Sequence, residues 1–194
     1  MRWWVKARGA HSTLVIGFLA FLFLVTGIRE GSAVLPSFTN GIDPVPLMLF
    51  VPLPLVVGLV MCLESRLATA EVSGVRRVAL FDAALSLSVI AMAMISSWFV
   101  SAALASPHAA AAGRNTAFLV GVTLLARSLF GQPAVMVPVA WLMVVVLFGF
   151  ETGHRPRSWT IVPESVNSVH AAIASAAACV IGIAAQIISS RKTP

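Results

Sequence analysis

The chain has 194 residues, of which 59% are hydrophobic and only 10% are charged, and its mean hydropathy is +0.96. Soluble domains are closer to half apolar and a quarter charged, so the composition argues against a soluble domain and predicts a polytopic membrane protein. The net charge of +6 comes from short basic clusters at the ends of apolar segments, with no long basic run to follow a phosphate backbone. We therefore expect the lipid bilayer, and not nucleic acid, as a partner.

The N-terminal segment, residues 1–11, carries Trp3 and Trp4 beside basic side chains. Tryptophan is enriched at the headgroup level of membranes, so this segment is predicted to be interfacial; a merely anchored terminus fits equally well. The first predicted span, residues 12–28, follows directly. Arg29 and Glu30 stand where a cleaved signal peptide needs small neutral residues, so we expect an uncleaved span.

The second span, residues 44–63, is predicted after a loop over residues 29–43 that contains glycine, serine and proline. Pro52 and Pro54 would each remove a backbone donor from the middle of this helix. The span is therefore predicted to be kinked or broken and to face protein instead of lipid. A static kink and a moving or substrate-lining element both remain open.

Residues 64–77 form the longest charged interval between two apolar segments, and we predict that they form a cytoplasmic linker containing a short amphipathic helix. Such a helix would lie on the membrane surface or dock on a cytoplasmic partner, while an ordinary positive-inside loop is an equally good interpretation. The candidate partner-coupling residues are Glu64, Arg66, Glu71, Arg76 and Arg77.

The third span is predicted over residues 78–104. Four small or weakly polar residues recur every fourth position and predict a close packing face: Ala84, Ser88, Met92 and Ser96. Asp82 lies about one turn inside this span, and Arg127 at the same membrane face is its predicted partner, because an unpaired intramembrane carboxylate is costly. Structural pairing is favoured over a proton relay.

The fourth span is the least apolar, because its uninterrupted apolar run covers only residues 117–126. Extending it to residues 110–130 brings in Arg114 and Arg127, whose long side chains are expected to snorkel towards the interfaces. Residues 134–150 form the predicted fifth span.

Residues 168–189 form the predicted sixth span, which is rich in alanine. Ala174, Ala178 and Gly182 are spaced four residues apart in it.

The orientation follows from the distribution of basic residues. With the N-terminus inside and six crossings, nine of the thirteen basic residues fall on the inner side. These are Arg2, Lys6, Arg8, Arg66, Arg76, Arg77, Arg127, Arg191 and Lys192. The positive-inside tendency therefore predicts that both termini are cytoplasmic. Together with the apolar spans, this orientation predicts an all-α bundle of about six transmembrane helices. The bundle would form one membrane domain (residues 1–194) in the cell's inner (plasma) membrane.

No catalytic, cofactor-binding or metal-binding motif is recognisable in the sequence. Cys62 and Cys179 each lie in an apolar span outside any CxxC arrangement, which favours two small buried residues. The spacing of His108, His154 and His170 matches no ligand signature, so loop histidines are the better interpretation. We therefore expect a protein that is not an enzyme.

Several short motifs follow one another in a characteristic order: the proline-rich second span, the Glu-x-Arg and Arg-Arg pairs of the linker, Gly-Arg-Asn-Thr at 113–116, Leu-Leu-Ala-Arg-Ser-Leu-Phe-Gly at 124–131 and Val-Pro-Val-Ala-Trp at 137–141. In this order, and in its use of arginine, alanine and valine, the chain resembles small six-span actinobacterial membrane proteins of the type of permease-like subunits of ABC exporters. The resemblance implies dimerisation and coupling to a separate ATPase through residues 64–77.

Two functional hypotheses follow. The first is a membrane-embedded subunit of an ATP-driven exporter, working with a cytoplasmic ATPase and in a homo- or hetero-oligomer with membrane subunits. The second is a non-transporting membrane protein that acts in immunity, assembly or another interaction. Proton- or ion-coupled transport is disfavoured, because such transporters usually carry more ionisable residues at mid-membrane.

Overall fold

The computed structural model describes residues 10–28, 31–39, 41–64, 78–151 and 155–189. These residues form a mostly helical bundle with two short β-hairpins. In chain order the elements are α1 (Ala10–Ile28), β1 (Ser32–Ser37), β2 (Gly41–Pro46), α2 (Leu53–Glu64), α3 (Val78–Leu104), α4 (Pro107–Phe130), α5 (Val137–Phe148), β3 (Phe150–Glu151), β4 (Arg155–Pro156) and α6 (Val169–Ser189). Short 3₁₀ turns precede α2 (Leu47–Leu49) and α5 (Gln132–Met136).

Four segments of the described chain are long and apolar enough to cross a membrane: Leu47–Glu64, Leu80–Leu104, Pro107–Phe130 and Val169–Ser189. Ser12–Ile28 and Gln132–Phe148 are shorter apolar helices. The prediction of a helical membrane protein is confirmed at this level. Six crossings and cytoplasmic termini stay predictions, and most of the interfacial segment 1–11 lies outside the described residues.

The least apolar of the four spanning segments is the centre of the bundle. α4 packs against α2, α3, α5 and α6. It has a mean hydropathy of 1.3 and is 78% buried, whereas α6 has a mean hydropathy of 2.2 and is 22% buried. The fourth span therefore needs less apolar side chains than the others, because neighbouring helices, and not lipid, surround it.

α4 and α6 touch through glycine. A Cβ atom added to Gly182 would lie 2.9 Å from the Cα of Gly121, and one added to Gly121 would lie 2.5 Å from the backbone nitrogen of Cys179. Such contacts require that both backbones approach without intervening side chains, which is typical of small-residue interfaces in membranes. Two of the three residues spaced four apart in the last span, Ala178 and Gly182, lie at this crossing.

The corresponding prediction for α3 was wrong. Ala84, Ser88 and Met92 are exposed and Ser96 is half-buried, so this stripe does not form the packing face. The contact with α4 instead lies where a Cβ on Gly113 would come 3.2 Å from the Cβ of Ser97. The exposed serines are tolerated because their hydroxyls bond to their own helix, as Ser88 Oγ does to the carbonyl of Leu85 at 2.7 Å.

The prolines of the second span do not lie in the middle of an α-helix. Pro52 belongs to the turn before α2 and Pro54 is the second residue of the helix, where a missing N–H costs little. The Val56 N–H donates to the Pro52 carbonyl at 3.0 Å, so the first turn is complete. The chain changes from 3₁₀ to α conformation at this point.

The region predicted as a loop after the first span is a β-hairpin. Gly41, at the start of β2, has φ +80°, a left-handed conformation that favours glycine in a tight hairpin turn. The turn docks on the end of α5, where the Phe38 N–H donates to the Leu147 carbonyl at 3.0 Å and Thr39 Oγ1 donates to the Phe150 carbonyl at 2.8 Å.

Candidate functional site at the linker end of the bundle

Three helices have an end near the linker, at what we call the linker end of the bundle. There α2 ends at Glu64, α3 begins at Val78 and α4 ends at Phe130. Of the predicted partner-coupling residues, the structure describes only Glu64. Arg66, Glu71, Arg76 and Arg77 lie outside the described residues.

Arg127 ties the end of α2 to the last turn of α4. Its Nη2 donates a 2.9 Å hydrogen bond to the carbonyl of Leu63, a residue that is fully buried. The last carbonyls of an α-helix have no partner within the helix and carry partial negative charge, so a guanidinium is a suitable cap. From the sequence, Arg127 is expected to snorkel and to pair with Asp82, and no local motif predicts this capping contact.

Asp82 is completely buried in the second turn of α3, and its backbone carbonyl accepts a 2.9 Å hydrogen bond from Ser86 Oγ. A turn of two residues joins α3 to α4, so these helices run antiparallel, and they touch at Gly113 and Ser97. From that contact, Asp82 and Arg127 lie about 21–23 Å along their helices at about 1.5 Å per residue. They are thus at the same level, while their pairing stays a prediction.

Gln186 belongs to the same level of the bundle. It is 4% exposed, and neither atom of its side-chain amide has a hydrogen-bond partner among the described residues. It lies four residues beyond Gly182 and therefore on the face of α6 that packs against α4. α6 runs parallel to α4, because the segment before it binds near the start of α4, so Gln186 lies about 6 Å beyond the glycine crossing towards the linker end.

We call Glu64, Asp82, Arg127 and Gln186 the linker-end layer. Glu64 is half-buried, and its Oε1 atom is buried with no hydrogen-bond partner within the described ranges. Charged and amide groups thus lie near the points where the chain leaves α2 and enters α3. Arg127 bonds the first of these points to α4, and Asp82 is buried near the second at the same level. The end of α2, where the linker begins, is therefore held on the central helix.

A second polar cluster lies at the opposite end of α4. Arg114 Nη1 donates to the carbonyl of Ser165 and Nη2 to the carbonyl of Glu164, both at 2.7 Å. Asn115 Nδ2 donates to the carbonyl of Val162 at 2.9 Å. Arg114 therefore holds the segment before α6, whereas the sequence predicted that it would snorkel.

The remaining candidate residues do not converge. His108 and His170 are exposed, and His154 lies outside the described residues. Cys62 is buried and Cys179 half-buried, and they do not form a disulfide with each other. In the part of the chain that the structure describes, no three metal-ligating side chains come together.

An open groove of about 370 Å³ lies on the side of the bundle between α1 and α3. Its wall is almost entirely apolar: Phe18, Leu22, Met92, Ile95, Ser96, Phe99 and Val100. The hydroxyl of Ser96 donates to the Met92 carbonyl at 2.7 Å, so it is satisfied within its own helix.

Comparison with known proteins identifies no relative: no protein-family model, curated protein or solved structure matches the chain.

Proposed function

We propose that the protein is a membrane-embedded, permease-like subunit of an ATP-driven exporter, and that residues 64–77 couple it to a separate cytoplasmic ATPase. The observation that carries the proposal is the hydrogen bond from Arg127 of α4 to the carbonyl of Leu63, next to the end of α2 where the linker begins. At the same level of the bundle, Asp82 is buried in the second turn of α3, just after the linker ends. A force applied to the linker would reach the central helix through the end of α2.

The path of a transported compound would lie between subunits in this proposal. The interior around α4 is filled by fully buried side chains such as Leu119, Leu124 and Leu142. Close-packed interiors leave little space for a solute. An oligomer with a second copy or another membrane subunit would supply the path, and ATP hydrolysis would change the contact between subunits through the linker.

A second candidate function is a non-transporting membrane interaction protein, for example in immunity or assembly. The lateral groove between α1 and α3 favours it, because this groove opens on the side of the bundle and has an apolar wall. Such a protein would keep its partner in cells that lack the ATPase.

Charge reversal in the linker tests the first candidate. The double variant Arg76→Glu, Arg77→Glu is expected to abolish co-purification of a nucleotide-hydrolysing subunit with the tagged protein from its native membranes, because a basic docking segment becomes acidic. The measurement is ATPase activity per mole of tagged protein, with mass spectrometry to identify a Walker-type chain.

Arg155→Glu is the matched control, since Arg155 is exposed in β4 at the opposite end of the bundle. It should retain the full activity. Equal activity in the linker variant and the control would exclude the coupling role, and a different partner retained in an ATPase deletion strain would favour the second candidate.

A further inference from the structure

The first hairpin has one face turned away from the bundle. Residues opposite each other in an antiparallel pair share a face, and the pairs Ser32–Pro46, Val34–Pro44 and Pro36–Ile42 form what we call the outer hairpin face. Val34 is 69% exposed and Ile42 71% exposed. The other face contributes Val45, which is fully buried in the core.

The composition of the outer hairpin face is unusual for a surface in water. An antiparallel sheet with one solvated face normally alternates apolar inward and polar outward residues. Here five of the six outward residues are valine, isoleucine or proline, and Ser32 is the sixth. The outer face is therefore apolar and requires an apolar neighbour.

The backbone edges of the hairpin carry few hydrogen-bond donors. The Leu47 N–H donates to the Gly31 carbonyl at 2.9 Å, which continues the register and identifies the hydrogen-bonded pairs as those of Ala33, Leu35 and Ser37. The N–H groups of the outer-face residues thus point away from the ladder. Three of these six positions are prolines, Pro36, Pro44 and Pro46, and have no N–H.

This placement of proline suits a lipid environment. An unpaired backbone N–H is costly in the hydrocarbon region, and proline removes that cost at half of the edge positions. The same prolines hinder pairing with a strand of another protein. Edge-to-edge docking of a protein strand is therefore disfavoured.

The hairpin surface is continuous with the apolar side of α5. The ring of Phe38, 77% exposed, stacks on Phe148 with centroids 5.4 Å apart. Phe148 is the last residue of α5, and Met143 and Val144 on the same helix are also exposed. An apolar surface thus extends from the flank of a bundle helix to the tip of the hairpin.

We propose that residues 31–46 lie in the membrane interface, with the outer hairpin face and Phe38 in contact with the acyl chains of the leaflet at that end of the bundle. The hairpin would then anchor the end opposite the linker. This inference concerns the membrane boundary and does not depend on coupling to an ATPase.

Labelling of cysteines introduced one at a time tests the proposal. Val34→Cys and Ile42→Cys, in the otherwise natural chain, are labelled with an environment-sensitive fluorophore and placed in phosphatidylcholine nanodiscs with or without lipids that carry a nitroxide high on the acyl chain. The unmodified protein, whose Cys62 is buried and Cys179 half-buried, gives the background. Labels at both positions should be quenched several-fold more by the nitroxide lipids than by aqueous iodide.

Arg155→Cys is the control, because it is exposed in the second hairpin at the same end of the bundle. Its label should respond to iodide and not to the lipids. Iodide quenching at residues 34 and 42 would overturn the proposal in favour of a water-exposed face. Protection from both quenchers would overturn it in favour of a protein partner. Two independent label positions keep the test decisive if one variant does not fold.

Discussion

Gly182→Ala is expected to destabilise the bundle strongly, by about 3 kcal/mol or more, at the upper end of the usual cost of overpacking. The added methyl carbon would lie 2.9 Å from the Cα of Gly121 and closer still to other backbone atoms of that residue. Backbone cannot rotate aside as a side chain can, so α4 and α6 would have to separate. The measurement is the midpoint of unfolding in mixed micelles titrated with SDS.

Gly27→Ala is the matched control for this substitution. Gly27 also lies in an apolar helix, but no atom comes within 4 Å of its added Cβ. Alanine is a better helix former than glycine by about 0.5–1 kcal/mol, so this variant should be unchanged or slightly more stable. Equal midpoints for the two variants would show that α4 and α6 do not touch at Gly182.

Arg114→Ala is expected to release the segment between β4 and α6, because it removes the donors to the carbonyls of Ser165 and Glu164. Hydrogen bonds from a charged group contribute about 1.5–3 kcal/mol each, so the loss should be about 3 kcal/mol after partial replacement by water. Protease cleavage between residues 157 and 168 should accelerate markedly. The cleavage rate of Arg114→Lys should lie between those of Arg114→Ala and the unsubstituted protein, since lysine lacks the planar fork of arginine.

Arg155→Ala provides the comparison, since it removes the same side chain from an exposed strand. Surface substitutions of this kind usually change stability by less than about 0.5 kcal/mol. If Arg114→Ala is cleaved at the rate of this control, the carbonyl contacts of Arg114 do not hold the segment.

The helical elements were largely predictable from apolar length. The third span was predicted over residues 78–104 and α3 covers Val78–Leu104, since a long uninterrupted apolar run leaves few alternatives. The fourth span was harder to identify, because its central position makes its composition less apolar than that of a lipid-facing helix. A helix buried by protein and a helix facing lipid carry different side chains, and a single sequence does not show which of the two a given helix is.

The first hairpin was not predictable by the same rules. Its residues alternate between two faces, but the outward residues are mainly apolar, so the outward polar residues that identify a surface strand are missing. Prolines at Pro36, Pro44 and Pro46 also argue against a strand, and they are compatible with one only because they occupy positions that do not donate within the ladder.

The linker-end layer was predicted in part. A buried carboxylate and a nearby arginine were expected from depth alone, and Asp82 is indeed buried. The capping of Leu63 by Arg127 and the burial of Gln186 depend on how helices far apart in sequence pack together. The sequence around Arg127 and Gln186 carries no local motif, so only the tertiary structure identifies these two features.

The central claim is a membrane bundle whose linker, residues 64–77, faces the cell interior. A topology reporter inserted after Ser73 tests it most directly, with a second insertion at Thr39, in the turn of the first hairpin, as its counterpart. We predict that a reporter active only inside the cell works at Ser73 and that a reporter active only outside works at Thr39. Outside activity at Ser73 would contradict the account.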